Sequence, residues 1–206
     1  MTFAIVPAAG HSIRMGRPKL LLPLGDRTVL EHVVAALRAG GVDRVLVVVG
    51  PHVPELAGLA GAAGAEVLQL TEPTPDMRST VERGLDWIDE RFRPEPDDPW
   101  LLVPADHPTL DAGLVRQVLA VDRSSIVIPV HGDRRGHPTR FAWKHAVGIR
   151  ALADGLGINV YIRGHAADVY ELPVSDCQVL IDLDTPEDYD RLVASGFHHP
   201  LTNVST

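Results

Sequence analysis

Apolar residues along this chain alternate between two rhythms. Short continuous runs, Phe3 to Val6, Arg44 to Val49 (RVLVVV), Trp100 to Val103 and Ser125 to Val130, read as strands covered on both faces. Helical spacing fills the intervals. Thr28 and Glu31 make a Thr-x-x-Glu capping box for a helix to about Ala39, closed by Gly40 and Gly41. A weaker helix is expected through Glu55 to Ala63, then a strand near Glu66 to Leu70. Ser79 and Glu82 give a second capping box, for a helix reaching about Phe92, and the linker Arg93 to Pro99 (RPEPDDP) stops it.

The second half repeats the scheme. Helices are predicted from about Asp111 to Val121 and around Lys144 to Ala153, with a polar, basic loop from Gly132 to Thr139 between strand and helix. Segments near Ile158 to Ile162 and Asp168 to Val174 read as less regular. Gln178 to Leu183 is predicted to be a strand, and Thr185-Pro186-Glu187-Asp188 opens the last helix with an N-cap Thr and Pro at the first helical position. Strand–helix alternation of this kind implies an α/β fold, a single-domain, Rossmann-like three-layer sandwich with a mostly parallel sheet over residues 1–196. Residues 197–206 are expected to form a C-terminal tail. Ligands of such sheets bind beyond the carboxyl ends of the strands, so the loops after Val6, Val103 and Leu183 are the places to look for chemistry.

Composition narrows the class. The 206 residues are 45% hydrophobic and 22% charged, ordinary for a globular chain and unlike a disordered one. The single cysteine, Cys177, suits a reducing compartment. Apolar runs are too short for a membrane helix, and Met1 to Ala9 lacks the basic start of a secretory signal, which points to a cytoplasmic protein. A net charge of −8 argues against nucleic acid or an anionic membrane as partner. Against that acidic balance, residues 1–25 hold no acid yet carry Arg14, Arg17 and Lys19, either solvated loop cations or a local anion site.

The loop Pro7-Ala-Ala-Gly-His-Ser-Ile-Arg-Met-Gly-Arg-Pro-Lys19 follows a strand with small residues, which lets backbone amides approach an anion. Its spacing fits neither a Walker A loop nor a dinucleotide fingerprint: Gly10 and Gly16 are separated by five residues, and Arg17-Pro18-Lys19 follows. Asp106 ends an apolar strand, where a carboxylate needs a cation, a metal or a capping role before Pro108. Asp182 and Asp184, at i and i+2 on the expected strand, would face one side, with Asp184 nearest the strand end as a metal ligand or a helix cap. The ten histidines show no His-x-x-x-His spacing, which argues against a zinc site. In a chain this acidic, Arg134, Arg135 and His137 place three potentially cationic groups in one loop.

These residues carry a resemblance. Ala8-Ala9-Gly10-x-Ser12-x-Arg14-Met15-Gly16-x-Pro18-Lys19, with Leu20-Leu21-Leu22-Pro23-Leu24, Arg135-Gly136-His137-Pro138 and Asp182-Leu183-Asp184-Thr185-Pro186-Glu187-Asp188, resembles the MobA-like nucleotidyltransferases over roughly residues 3–195. Within that family the last two segments resemble the molybdenum cofactor cytidylyltransferases. The resemblance implies transfer of CMP from CTP to the phosphate of molybdopterin with release of pyrophosphate. Arg14, Lys19 and Asp106 would carry the catalysis, and Ala8, Ala9, Gly10, Ser12, Arg14, Lys19 and Ser79 would hold the nucleotide. Asp106 and Asp184 would bind Mg2+, while Arg135 and His137 would meet the acceptor. A molybdoenzyme or chaperone is the protein partner it implies. Two departures stand out: Ala105-Asp106-His107-Pro108 replaces the usual Gly-Asp-Met-Pro, and Asp154-Gly155-Leu156-Gly157-Ile158-Asn159 replaces Gly-Asp-x-Gly-Ala-Arg. The alternatives are guanylyl transfer, transfer to another phosphorylated acceptor such as a sugar phosphate, or a non-catalytic nucleotide sensor.

Overall fold

Period-two side-chain alternation sorts each buried strand between two cores. In the computed structural model, which describes residues 1–196, β1 (Phe3–Ala8) sends Ala4, Val6 and Ala8 to one face and Phe3 and Ile5 to the other. The small antiparallel pair β2 (Pro23–Leu24) and β3 (Arg27–Thr28) leads into α1 (Val29–Ala39), whose Thr28–Glu31 capping box forms as expected. β4 (Arg44–Val49) divides like β1, with Val45, Val47 and Val49 on the first face and Leu46 and Val48 on the second. Then come α2 (Glu55–Ala62), β5 (Glu66–Gln69), α3 (Met77–Phe92), β6 (Pro99–Leu102), α4 (Ala112–Leu119) and β7 (Ile126–His131). The chain closes with β8 (Arg134–Arg135), β9 (Thr139–Ala142), α5 (His145–Arg150), α6 (Ile158–Gly164), β10 (Val169–Pro173) and α7 (Pro186–Ala194). The expected 197–206 tail lies outside the described residues.

The main sheet runs in the order β10-β7-β9-β6-β1-β4-β5, with β8 paired to β7. β1 pairs in parallel with β4 and β6, β4 with β5, and β7 with β10; β9 runs antiparallel between β6 and β7. Residues of α1, α2, α4 and α7 cover the first face, and those of α3, α5 and α6 the second, giving the three layers. No described helix is long and apolar enough to cross a membrane.

Four local expectations are corrected. Gln178 to Leu183 is no strand: Cys177–Leu180 forms a 3-10 turn and the chain runs on irregularly to Thr185. Its backbone bonds go to loops instead of a ladder, with Val179 O accepting from His137 N–H at 3.3 Å and Leu183 N–H donating to Asp106 O at 3.0 Å. Part of the 132–139 loop is a hairpin, β7 into β8, with Val130 opposite Arg135 and His131 opposite Arg134, and β9 follows from Thr139. Arg140 hides the strand character of β9, since a buried arginine there looks polar in sequence, yet its guanidinium is bonded by the carbonyls of Val121 and Ser124. The segments read as irregular form α6 and β10. Helix α3 starts at Met77 with Asp76 as its N-cap, so Ser79 lies inside the first turn.

Gly84 lets α3 lie close on the sheet. A Cβ there would sit 2.9 Å from Ile5 Cγ2 and 3.2 Å from Val48 Cγ2. Gly84→Val is expected to lower the unfolding free energy by about 2–3 kcal/mol through overpacking. Gly58→Ala, in α2 with no atom within 4 Å of the new methyl, is expected to raise it by about 0.5–1 kcal/mol. Urea midpoints measured at constant slope check both signs.

Candidate active site

Beyond Ala8 the chain is drawn into a tight loop by Ser12, which adopts the left-handed conformation at φ 50°. A non-glycine residue there costs on the order of 1–3 kcal/mol, offset here by three hydrogen bonds. The Ser12 carbonyl accepts from the N–H groups of Met15 and Gly16, each at 3.1 Å, and its Oγ accepts from Lys19 N–H at 3.4 Å. Gly50, just past β4, permits the adjoining strand end to close in, because a Cβ would come within 3.1 Å of Ala9 Cα. His52 then donates from Nε2 to the Gly10 carbonyl at 3.0 Å and stacks on His11 with ring centroids 4.0 Å apart.

This loop walls a cleft of about 480 Å3, which Ala8, Ala9, Gly10, Ser12, Arg14, Lys19, Asp106 and Asp184 all line. Inside it the charges meet. The Lys19 ammonium donates to Asp106 Oδ2 at 2.6 Å and to Asp184 Oδ1 at 2.9 Å, while Arg14 Nη1 donates to Asp184 Oδ2 at 2.8 Å. Burial disfavours the Lys19 ammonium, but the charges and hydrogen bonds of Asp106 and Asp184 outweigh it and hold the pKa above its ordinary value. Residues 170 positions apart in sequence are thereby joined through salt bridges that reach across three loops.

The irregular 181–185 segment still points its side chains alternately. Leu183 is wholly buried in the first core, and Asp182 and Asp184 project from either side of it to different partners. Asp182 accepts from His107 Nε2 in a direct ion pair, and that bond holds its carboxyl below the usual range. His107 is itself buried and meets the edge of His137 at 5.4 Å between centroids.

Arg135 and His137 lie away from the cleft, around a second hollow of about 320 Å3 that Asn159 and Arg163 of α6 also line. Burial, then the His107 charge, pulls the His137 pKa down to about 4, so the loop offers two cations at neutral pH and not three. Arg135 is in turn engaged by Glu171 at 2.8 Å. Ser79 does not line the cleft. Its N–H and Oγ both donate to Asp76 Oδ1, at 2.7 and 2.8 Å, and Asp76, Met77 and Thr80 are the α3 residues at the cleft wall. An Asp at position 76 is itself a favoured N-cap residue, and Glu82 three residues past Ser79 imitates a capping box inside the helix.

Asp106 and Asp184 present hard carboxylate oxygens at the cleft floor, a donor set that suits Mg2+ arriving with phosphates. Residues 4–169 match the MobA-like NTP transferase domain. The chain belongs to that family. This MobA-like transferase is similar to the molybdenum cofactor cytidylyltransferase of Escherichia coli, 23% identical over 90% of this chain and 92% of that protein. It is also similar to the phosphoenolpyruvate guanylyltransferase of Rubrobacter xylanophilus, 32% identical over 94% of each chain. Among solved structures, Rv0371C of Mycobacterium tuberculosis in complex with manganese superimposes with a TM-score of 0.76 at 26% identity, covering 94% of this chain and 98% of that one. The MobA-like transferase is thus a nucleotidyltransferase with a single α/β domain.

The Asp76 cap is open to test. Ser79 N–H holds the Asp76 pKa below its ordinary value, so the carboxylate stabilises the fold above about pH 4 and loses that effect as pH falls further. Asp76→Ala is expected to cost about 1 kcal/mol at pH 7 and less at pH 3. Denaturation of both proteins at the two pH values measures the difference.

Proposed function

We propose that this enzyme transfers CMP from CTP to the phosphate monoester of molybdopterin and releases pyrophosphate. The observation that carries the reading is the meeting of Arg14, Lys19, Asp106 and Asp184 in one cleft beside a glycine-containing loop at the carboxyl ends of β1 and β6. A cleft with two cations and two carboxylates suits a triphosphate and the divalent ion it brings. The cytidylyl relative supports the choice of base and acceptor.

In this mechanism an acceptor phosphate oxygen attacks the α-phosphorus of the nucleotide. A new Pα–O bond forms, the bond from Pα to the bridging oxygen breaks, and pyrophosphate leaves with the electron pair. A phosphate monoester has its second pKa near 6, so the attacking oxygen is already ionised at neutral pH and needs no strong base. Lys19 and Arg14 take up the charge of the outer phosphates, and the loop amides near Gly10 receive the inner ones. Asp106 and Asp184 would hold Mg2+, whose chemistry is to neutralise phosphate oxygens and orient the leaving group. The same four residues argue against the nucleotide-sensor reading, since a sensor needs no paired carboxylates at the transfer point.

A second reading keeps the chemistry and changes both substrates. The phosphoenolpyruvate guanylyltransferase relative has the higher identity, and its acceptor also bears a phosphate monoester. Pyrophosphate release measured with each of four nucleoside triphosphates, against molybdopterin and phosphoenolpyruvate, separates the two. Fastest release with CTP and molybdopterin is the expected outcome; a preference for GTP and phosphoenolpyruvate moves the assignment.

Asp106→Ala is expected to lower kcat by roughly a hundredfold or more, about 3 kcal/mol of barrier, and activity should vanish on chelation and return with Mg2+. A folded Asp106→Ala protein with near-normal kcat contradicts the metal assignment. Lys19→Ala is expected to weaken CTP binding far more than CMP binding, because its contact is with phosphates that CMP lacks. Calorimetric titrations with equal losses for both ligands would take Lys19 off the outer phosphates.

A further inference from the structure

Asp106 has two sets of neighbours. On one side it shares the Lys19 ammonium with Asp184, a contact of the nucleotide-free protein that the outer phosphates of a bound nucleotide would take over. On the other side Asp182 has only the proton it shares with His107. His107 and Asp182 are in direct contact, and one ligand atom from each of Asp106, His107 and Asp182 lies within 4.8 Å of the other two. Three carboxylates (Asp106, Asp182 and Asp184) face two permanent cations (Arg14 and Lys19), and the third is balanced only by the proton that joins His107 to Asp182.

The three groups are also held in place. His107 is only 4% exposed and packs edge-on against His137. Asp182 adjoins the buried Leu183, whose N–H donates to the Asp106 carbonyl at 3.0 Å and ties the two ligand loops together. Fixed donors lose little freedom on binding an ion. Donor chemistry selects the ion. An imidazole nitrogen suits first-row transition ions, whereas Mg2+ prefers an all-oxygen octahedron.

We infer that Asp106, His107 and Asp182 form a site for a first-row divalent transition ion such as Mn2+, Co2+ or Zn2+, distinct from the Mg2+ position on Asp106 and Asp184. The ion takes the place of the proton that joins His107 Nε2 to Asp182, and Lys19 stays where it is. The site joins the loop after β6 to the segment before α7 and needs no nucleotide, so it stands or falls apart from the proposed transfer reaction.

Co2+ is the probe, titrated into the nucleotide-free, untagged protein in excess Mg2+ and followed by visible absorption. One saturable band is expected in the wild type. His107→Met and Asp182→Asn are each expected to weaken Co2+ binding at least tenfold, while Asp184→Asn retains it. Other histidines contribute equally to every variant and cancel in the comparison. Asp182 is 57% exposed, so Asp182→Asn carries the decision if His107→Met does not fold. Unchanged Co2+ affinity in a folded His107→Met or Asp182→Asn protein overturns the site, as does the absence of a Co2+ band in the wild type while Mg2+ is in excess. Loss of the band in Asp184→Asn alone also overturns it, and would leave the nucleotide-side metal reading intact.

Discussion

Burial of the parallel sheet on both faces governs where charge can go in this protein. Strand interiors such as Val45 to Val49 pack into two cores, and an unpaired carboxylate there would cost several kcal/mol. Ionic chemistry is therefore pushed to the strand ends. Because β1, β4, β5, β6, β7 and β10 run the same way, their carboxyl ends share one edge. The antiparallel β9 does not break this pattern. Starting from that same edge, it brings Gly136, His137 and Pro138 alongside the loop that carries Asp106.

At that edge the charges form a closed set. Lys19 is the hinge between Asp106 and Asp184, and its ammonium is kept charged because two carboxylates outweigh the cost of its burial. The network also fixes loops. Arg14 and Lys19 come from the segment after β1, Asp106 from the segment after β6, and Asp184 from the approach to α7. Each salt bridge thus restrains two loops that share no hydrogen-bond ladder, and a phosphate entering the cleft meets cations already in position.

The sequence was most legible where one principle acted alone. Continuous β-branched runs gave the central strands, and Thr28-x-x-Glu31 and Thr185-Pro186 placed helix starts without tertiary help. It was least legible where a side chain or loop replaced a regular partner. Arg140 disguised β9 because its guanidinium is satisfied by carbonyls near the end of α4, a contact that local pattern cannot reveal. Ser79-x-x-Glu82 has the spacing of a capping box, yet the side chain that caps α3 is Asp76, three residues earlier. The convergence of Arg14, Lys19, Asp106 and Asp184 could be anticipated from topology and family resemblance. The pairing of His107 with Asp182 could not, since it depends on the exact path of residues 177–185.

That path shows how alternation can survive without a strand. The expectation that Asp182 and Asp184 share a side rested on ladder geometry, and no ladder forms. A single apolar anchor does the work instead. With Leu183 wholly buried in the first core, its two neighbours must leave the core. Free of a neighbouring strand, the backbone turns enough to send Asp182 to His107 and Asp184 to Lys19 and Arg14. A regular strand would have aimed both carboxylates at one partner and left the other side of Asp106 without an acidic neighbour. Here one buried leucine distributes two negative charges between two sites, and Asp106, reached from both, links them.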